Sequence, residues 1–332
     1  MKLTTSKTSA ILPSRASIGN MAIVGSISVL SASIGFCSAA SAAVLYQADY
    51  SSGTINTISS TGVVTPFATG LGGNGPIGLA FGKDGYLYAT NYNGGSPSDG
   101  VSINKISPDG KTVSIFTTGP SASYGLASDK KGNLFATNSI LNTIDRISET
   151  TAQVTPFVTT GLNFPAYLAF NNSGKLFESD HSSDTVNTIS LVDGSITFFA
   201  TVEGARGMAF DNDGNLFVVN AHDGQINKIS SDGTSNTIFT TGLNHPFGLA
   251  FDDSGRLFVS DTGTNTVKQI SLLDGTASSF ASGFNVPFSL VLGPDPSGAS
   301  TAVPEPFTIV GTLIGGTAAL RMRKKLKDSN KA

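Results

Sequence analysis

Between residues 76 and 292 apolar and polar positions alternate in short runs, and the runs repeat. Aligned on one leucine they read PIGLAFGKDGYLYATN, SYGLASDKKGNLFATN, PAYLAFNNSGKLFESD, ARGMAFDNDGNLFVVN and PFGLAFDDSGRLFVSD. The anchor residues Leu79, Leu126, Leu168, Met208, Leu249 and Leu290 are 47, 42, 40, 41 and 41 positions apart. Alternation over five or six residues marks a strand. Each unit holds two such runs, then a third (INKIS, TIDRIS, TVNTIS, INKIS, TVKQIS) and a fourth ending in an FATGL-like phrase. Asp84-Gly85, Ser173-Gly174, Asp213-Gly214 and Ser254-Gly255 supply the positive φ of tight hairpins between the first two runs.

Four short strands in each unit of about 40 residues predict the blades of a β-propeller. The Gly and Ala of the GLA segment suit an innermost strand crowded at the central axis, and Leu-Phe or Leu-Tyr in the second strand supplies bulk between blades. Residues 45–71 hold a second, third and fourth strand without a first, and FSLVLGPD (288–295) is a first strand without followers. Joined, they make one blade. The expectation is an all-β, six-bladed propeller over 44–295, closed by its C-terminal strand; an open β-solenoid is the alternative. Closure removes the sheet edges that template aggregation.

These repeats resemble NHL-type and SMP-30/gluconolactonase-like six-bladed propellers, and the streptogramin-lyase-like repeats of exported bacterial proteins. The SMP-30 resemblance implies a divalent metal held partly by an Asp ending a second strand, which Asp180 or Asp261 matches. It also implies an Asn just before the Gly of a first strand, where this chain has Ile77, Tyr124, Ala166, Arg206, Phe247 and Phe288. That departure weakens the lactonase reading.

Composition narrows the picture. Of 332 residues 38 are Gly and none is Trp, which disfavours a WD repeat, and the single cysteine, Cys37, excludes a disulfide framework in the repeats. Residues 43–304 carry 11 Lys/Arg against 21 Asp/Glu, so the body is acidic and offers no phosphate-neutralising surface for nucleic acid.

The two ends read as addresses. Residues 1–43 combine three early bases, the apolar run MAIVGSISVLSASIGF and a small-residue cleavage site near Ala42 and Ala43, a signal peptide. After a linker (296–302), residues 303–332 hold Pro304, Glu305 and Pro306, an apolar membrane segment (307–320) and a basic tail with Arg321, Arg323, Lys324 and Lys325. This order resembles the PEP-CTERM sorting signal. The resemblance implies recognition by an exosortase in the inner membrane, then deposition at the cell surface or matrix of a Gram-negative bacterium or cyanobacterium. The 14-residue segment is short for an ordinary span, which needs about 20.

Candidate chemistry gathers on the face that carries the loops between blades. Second strands end at Asp49, Asn91, Asn138, Asp180, Asn220 and Asp261, an oxygen-rich set suited to Ca2+ or another divalent cation at the axis. Asp and Asn equally bond local backbone at strand ends, and a residue repeated in every blade is more simply part of the blade. Glu178, His181, Arg206 and His222 come from two adjacent blades and could converge for acid–base chemistry, with His245 on the same face. A buried carboxyl at Glu178 is expected to have a raised pKa. Tyr50, Tyr92, Tyr124 and Phe164 are candidates to stack on sugar rings. Two functions follow: a carbohydrate- or protein-binding module, or a metal-dependent lactonase or streptogramin-type lyase.

Overall fold

The computed structural model describes residues 43–71, 75–91, 102–118 and 124–297. The predicted leader through Ala42, Tyr92 and the whole sorting segment lie outside the described residues. Every regular element described is a strand, and the strands form six four-stranded antiparallel sheets. Among the described residues no helix is long and apolar enough to cross a membrane.

The orphan strand closes the ring. Pro287–Gly293 pairs with Val44–Asp49, which pairs with Thr54–Ile58 and then Val64–Ala68, completing blade 1. The register places Leu45 opposite Leu292 and Gln47 opposite Leu290. Blades 2 to 6 follow in chain order. Their first strands are Pro76–Phe81, Leu126–Ser128, Pro165–Phe170, Ala205–Phe210 and Pro246–Phe251. Each first strand touches those of the two neighbouring blades, and the last touches Pro287–Gly293, so the six surround one axis.

Crowding at that axis explains the glycine column. A Cβ on Gly78, Gly125, Gly207 or Gly248 would lie 2.6, 2.8, 2.2 or 2.7 Å from a carbonyl oxygen of the next first strand. Only hydrogen fits there.

Between blades the core is aromatic. Phe177 of blade 4 meets Phe199 of its own fourth strand at 5.1 Å and Phe210 of the next blade's first strand at 4.9 Å, both edge to face. The same triad recurs as Tyr46 with Phe67 and Phe81, as Phe135 with Phe157 and Phe170, and as Phe217 with Phe239 and Phe251. The Leu-Phe of the second strand and the Phe of the FATG phrase are therefore two parts of one contact. Each such ring pair contributes roughly 0.5–1.5 kcal/mol beyond the area it buries.

Candidate functional site at the axial mouth

On the loop face the chain enters five of the six first strands through a described left-handed residue. Gly75, Phe164, Gly204, His245 and Val286 have φ of 57, 63, 54, 52 and 65°. Four of their carbonyls accept the first N–H after a second strand: Val286 from Tyr50 (3.1 Å), Phe164 from His181 (3.1 Å), Gly204 from Ala221 (3.2 Å) and His245 from Thr262 (3.2 Å). The loop face is thus a ring of backbone clamps.

The oxygen-rich strand ends serve those clamps. Asp49 accepts the N–H of Asn285 at 2.8 Å, Asp180 that of Asn163 at 2.5 Å and Asp261 that of Asn244 at 3.0 Å. Asn138 and Asn220 accept turn N–H groups of Leu141 and Asp223 at 3.0 and 3.1 Å, and Asn91 donates to the Leu71 carbonyl. Asp180 also accepts from Ser183, and Asp261 is ion-paired with Lys268. Burial pushes the Asp49 and Asp180 carboxyls up from their ordinary range. Among the described residues no three His, Cys, Asp or Glu side chains group as a metal site. The donor set for a hard cation is dispersed around the ring, and the residues at the axis do not fit one.

The axis carries rings and a guanidinium instead. Five of the residues before the glycine column, Tyr124, Ala166, Arg206, Phe247 and Phe288, line a cavity of about 150 Å3 with Phe164 and His181. Phe247 and Phe288 pack edge to face at 4.1 Å, Tyr50 packs on Phe288 at 5.2 Å, and Tyr124 faces Phe164 at 5.6 Å with the planes tilted by 44°. Arg206 lies 4.5 Å over the Phe247 ring. Burial lowers its pKa, opposed by the Tyr167 and Tyr124 hydroxyls.

His181 and His222 meet beside this cavity, ring centroids 5.3 Å apart, and His181 also packs on Phe164 at 5.7 Å. Burial, then the Arg206 charge, pushes the His181 imidazole down, and its buried Nδ1 has no hydrogen-bond partner. The Gly204 backbone is pressed against the His222 ring, where a Cβ would come within 2.7 Å.

Of the predicted cluster, His181, Arg206 and His222 come together. Glu178 does not line the cavity. It is fully buried within blade 4, where Asn187, its cross-strand partner, donates to it at 3.0 Å. Burial pushes its carboxyl up to about 8, the direction expected from the sequence. His245 is exposed and contributes its carbonyl to the clamp.

Two features escaped the sequence reading. Thr90, Thr137, Ser179 and Ser260, one residue before the strand ends, accept the N–H groups of Gly78, Gly125, Tyr167 and Gly248 at 2.8, 2.9, 3.0 and 2.7 Å. Those of Gly78, Tyr167 and Gly248 fall at the bulges of their first strands, where the ladder skips. Their signal was the Ser or Thr in YATN, FATN, FESD and FVSD. The second is Tyr167, a large side chain standing in the glycine column. Its buried ring lies 5.7 Å from Phe247 and forms one wall of a larger cavity of about 520 Å3, polar and apolar in similar measure, at the opposite end of the axis. Tyr167 thereby stands between the two mouths.

No protein-family model matches the sequence, and no curated protein matches it either. Solved structures do. A chain of a nidogen/laminin complex superimposes with a TM-score of 0.67 at 20% identity, covering 76% of this chain and 98% of that one. Virginiamycin B lyase from Staphylococcus aureus gives 0.55 at 17% identity, over 73% of this chain and 85% of the lyase. An auxiliary nutrient binding protein from Bacteroides thetaiotaomicron gives 0.52 at 13%, over 63% and 61%. At these identities the likeness is one of fold. The class is a six-bladed all-β propeller, with streptogramin B lyase among its structural neighbours.

Proposed function

We propose that this protein is an exported, surface- or matrix-associated propeller that binds its ligand at the axial mouth of the loop face without transforming it. The leader at 1–43 and the PEP-CTERM-like segment at 303–332 supply the route, through the inner membrane and an exosortase. One observation carries the binding role: the mouth is lined by aromatic side chains, the His181 imidazole and one guanidinium, with no carboxylate among the described residues that line it. Rings and a cation hold a ligand well. General acid–base turnover at neutral pH needs a proton acceptor and donor within reach of the ligand. Glu178, the candidate carboxyl, is bonded to Asn187 away from the cavity.

A second reading, a lyase, is favoured by the paired rings of His181 and His222 and by the virginiamycin B lyase neighbour. One experiment separates the two. The protein is screened by thermal shift against neutral, acidic and amino sugars, and each mixture is analysed chromatographically for products. A binding module shows a ligand-dependent rise in melting temperature that Phe164→Ala diminishes, and no product. Product formation that His222→Ala removes would replace the binding reading with the lyase.

A further inference from the structure

Arg206 is the one charged residue in the ring of positions that precede the glycine column; its counterparts are Ile77, Tyr124, Ala166, Phe247 and Phe288. It is half-buried, stacked on Phe247, and has no ion pair with an acidic group among the described residues. The titratable groups that act on it are the Tyr167 and Tyr124 hydroxyls and the His181 imidazole, and none of them is a carboxylate. A desolvated cation without a counter-charge is costly, and an anion seated beside it recovers that cost through a charge-assisted, bidentate bond. Arginine suits a planar carboxylate.

The remaining chemistry selects what carries the carboxylate. An extended peptide is bound through main-chain groups on a sheet edge or in a backbone nest. Among the described residues the clamp consumes backbone groups around the mouth: the carbonyls of Phe164, Gly204, His245 and Val286 are all occupied, as are the N–H groups of Asn163, Phe164 and Gly204. Recognition is left to side chains. Phe164 and Tyr124 present tilted ring faces, and His181 Nδ1 is a buried polar atom without a partner. The cavity of about 150 Å3 admits one six-membered ring; at ~30 Å3 per water it corresponds to about five waters.

We infer that the axial mouth binds an acidic sugar of the uronic acid class, its carboxylate on Arg206 and its ring against Phe164 and Tyr124. The inference rests on the reading of this mouth as a ligand site. The body is acidic and supplies no diffuse attraction for a polyanion, so one sugar unit seated at Arg206 carries the recognition.

The test is calorimetric titration of the full chain in detergent micelles with trigalacturonate and with the same trimer reduced at its carboxyls. The acidic trimer is expected to bind about tenfold or more tightly than the reduced one. Arg206→Gln should bring the two together, Arg206→Lys should retain part of the preference, and Phe164→Ala should weaken both alike. Titration with galacturonate monomer shows whether a free acid suffices or a chain is required; binding of either form satisfies the inference. Equal binding of the two trimers by the native protein overturns the carboxylate assignment and leaves the site standing, as does a preference that survives Arg206→Gln. Should the Gln variant melt early, the native acid-to-neutral ratio and the Lys variant still decide. If no saccharide binds, the inference falls; Phe164-dependent binding of an Asp-rich peptide would then reassign the ligand, and loss of that too would remove the site.

Discussion

Between blades 4 and 5 the seam is filled by Phe177, Phe199 and Phe210, three rings in edge-to-face contact. Between blades 2 and 3 the corresponding second-strand ring is Tyr88, against Phe116 at 4.9 Å, and the next blade offers Ser128 where Phe210 stands. A polar network takes the missing ring's place. Ser128 donates to Glu149 at 3.1 Å, the Lys83 N–H donates to the same carboxylate at 2.9 Å, and the Lys130 amine donates to the Phe81 carbonyl. Tyr88 donates to Asp84 at 3.0 Å, and Lys105 pairs with Asp84 at 2.6 Å. The two solutions fail differently. Apolar burial is non-directional and stabilises roughly in proportion to area, whereas a buried polar network stabilises only while every member has its partner.

The largest way to break the comparison is at the aromatic seam. Phe177→Ala removes the ring common to two edge-to-face pairs at a position 3% exposed, and should destabilise the protein by about 3–5 kcal/mol. Phe177→Leu keeps more of the volume but gives up both ring pairs, and should cost about 1–3 kcal/mol. Equilibrium denaturation in urea measures both. A loss from Phe177→Ala no greater than from the Leu variant would mean that the rings do not carry this seam.

The opposite face of that second strand, which packs toward blade 3, holds an acid that no other blade has at this position: Glu178 stands where blade 2 has Ala89. Its folded pKa, pushed up to about 8 chiefly by burial, lies above that of an unfolded glutamate. The folded state therefore binds more protons than the unfolded state between about pH 4.5 and 8. Stability from this residue is complete below that window and is lost as pH rises through it. Glu178→Gln keeps the acceptor for Asn187 and removes the titration, as Gln47 does opposite Asn56 in blade 1 at 3.1 Å. Between pH 5 and pH 8 the wild type should lose roughly 2–4 kcal/mol relative to the variant. Parallel stability curves would show that Glu178 does not titrate in this range.

How legible all this was from the chain depended on the reach of each interaction. Strands, turns and the closing role of Pro287–Gly293 came from a period-two pattern repeated in every unit, so neighbouring letters carried the information. Arg206 was visible as a departure within its column, and so was Tyr167 in the next, which the reading passed over. The purpose of Asp180 was not visible. The same side chain suits a cation or a backbone N–H, and its partner Asn163 lies 17 residues upstream in a loop whose left-handed residue sets the approach. Glu178 shows the same limit. The pleat gave its face, but only cross-strand register puts Asn187 within reach and leaves the acid–base cluster short of its carboxyl.

The smallest effect is expected at the polar seam, where Glu149 stands in for the missing ring. It is 8% exposed and accepts from Ser128 and the Lys83 N–H, so Glu149→Ala leaves both without that acceptor. The loss should be about 1–3 kcal/mol in urea denaturation at neutral pH, below that of Phe177→Ala. Its pH dependence distinguishes the two seams. Burial already pushes the Lys130 amine down, and Glu149 is the charge that holds it up. Without that charge the folded pKa of Lys130 falls further below its unfolded value. A lysine depressed in this way costs stability below its folded pKa, and the cost is relieved as pH rises toward the unfolded one. The deficit of Glu149→Ala should therefore shrink on going from neutral to alkaline pH, while that of Phe177→Ala stays level. A constant deficit would mean that Glu149 acts here only as a hydrogen-bond acceptor, with no part in holding the Lys130 charge.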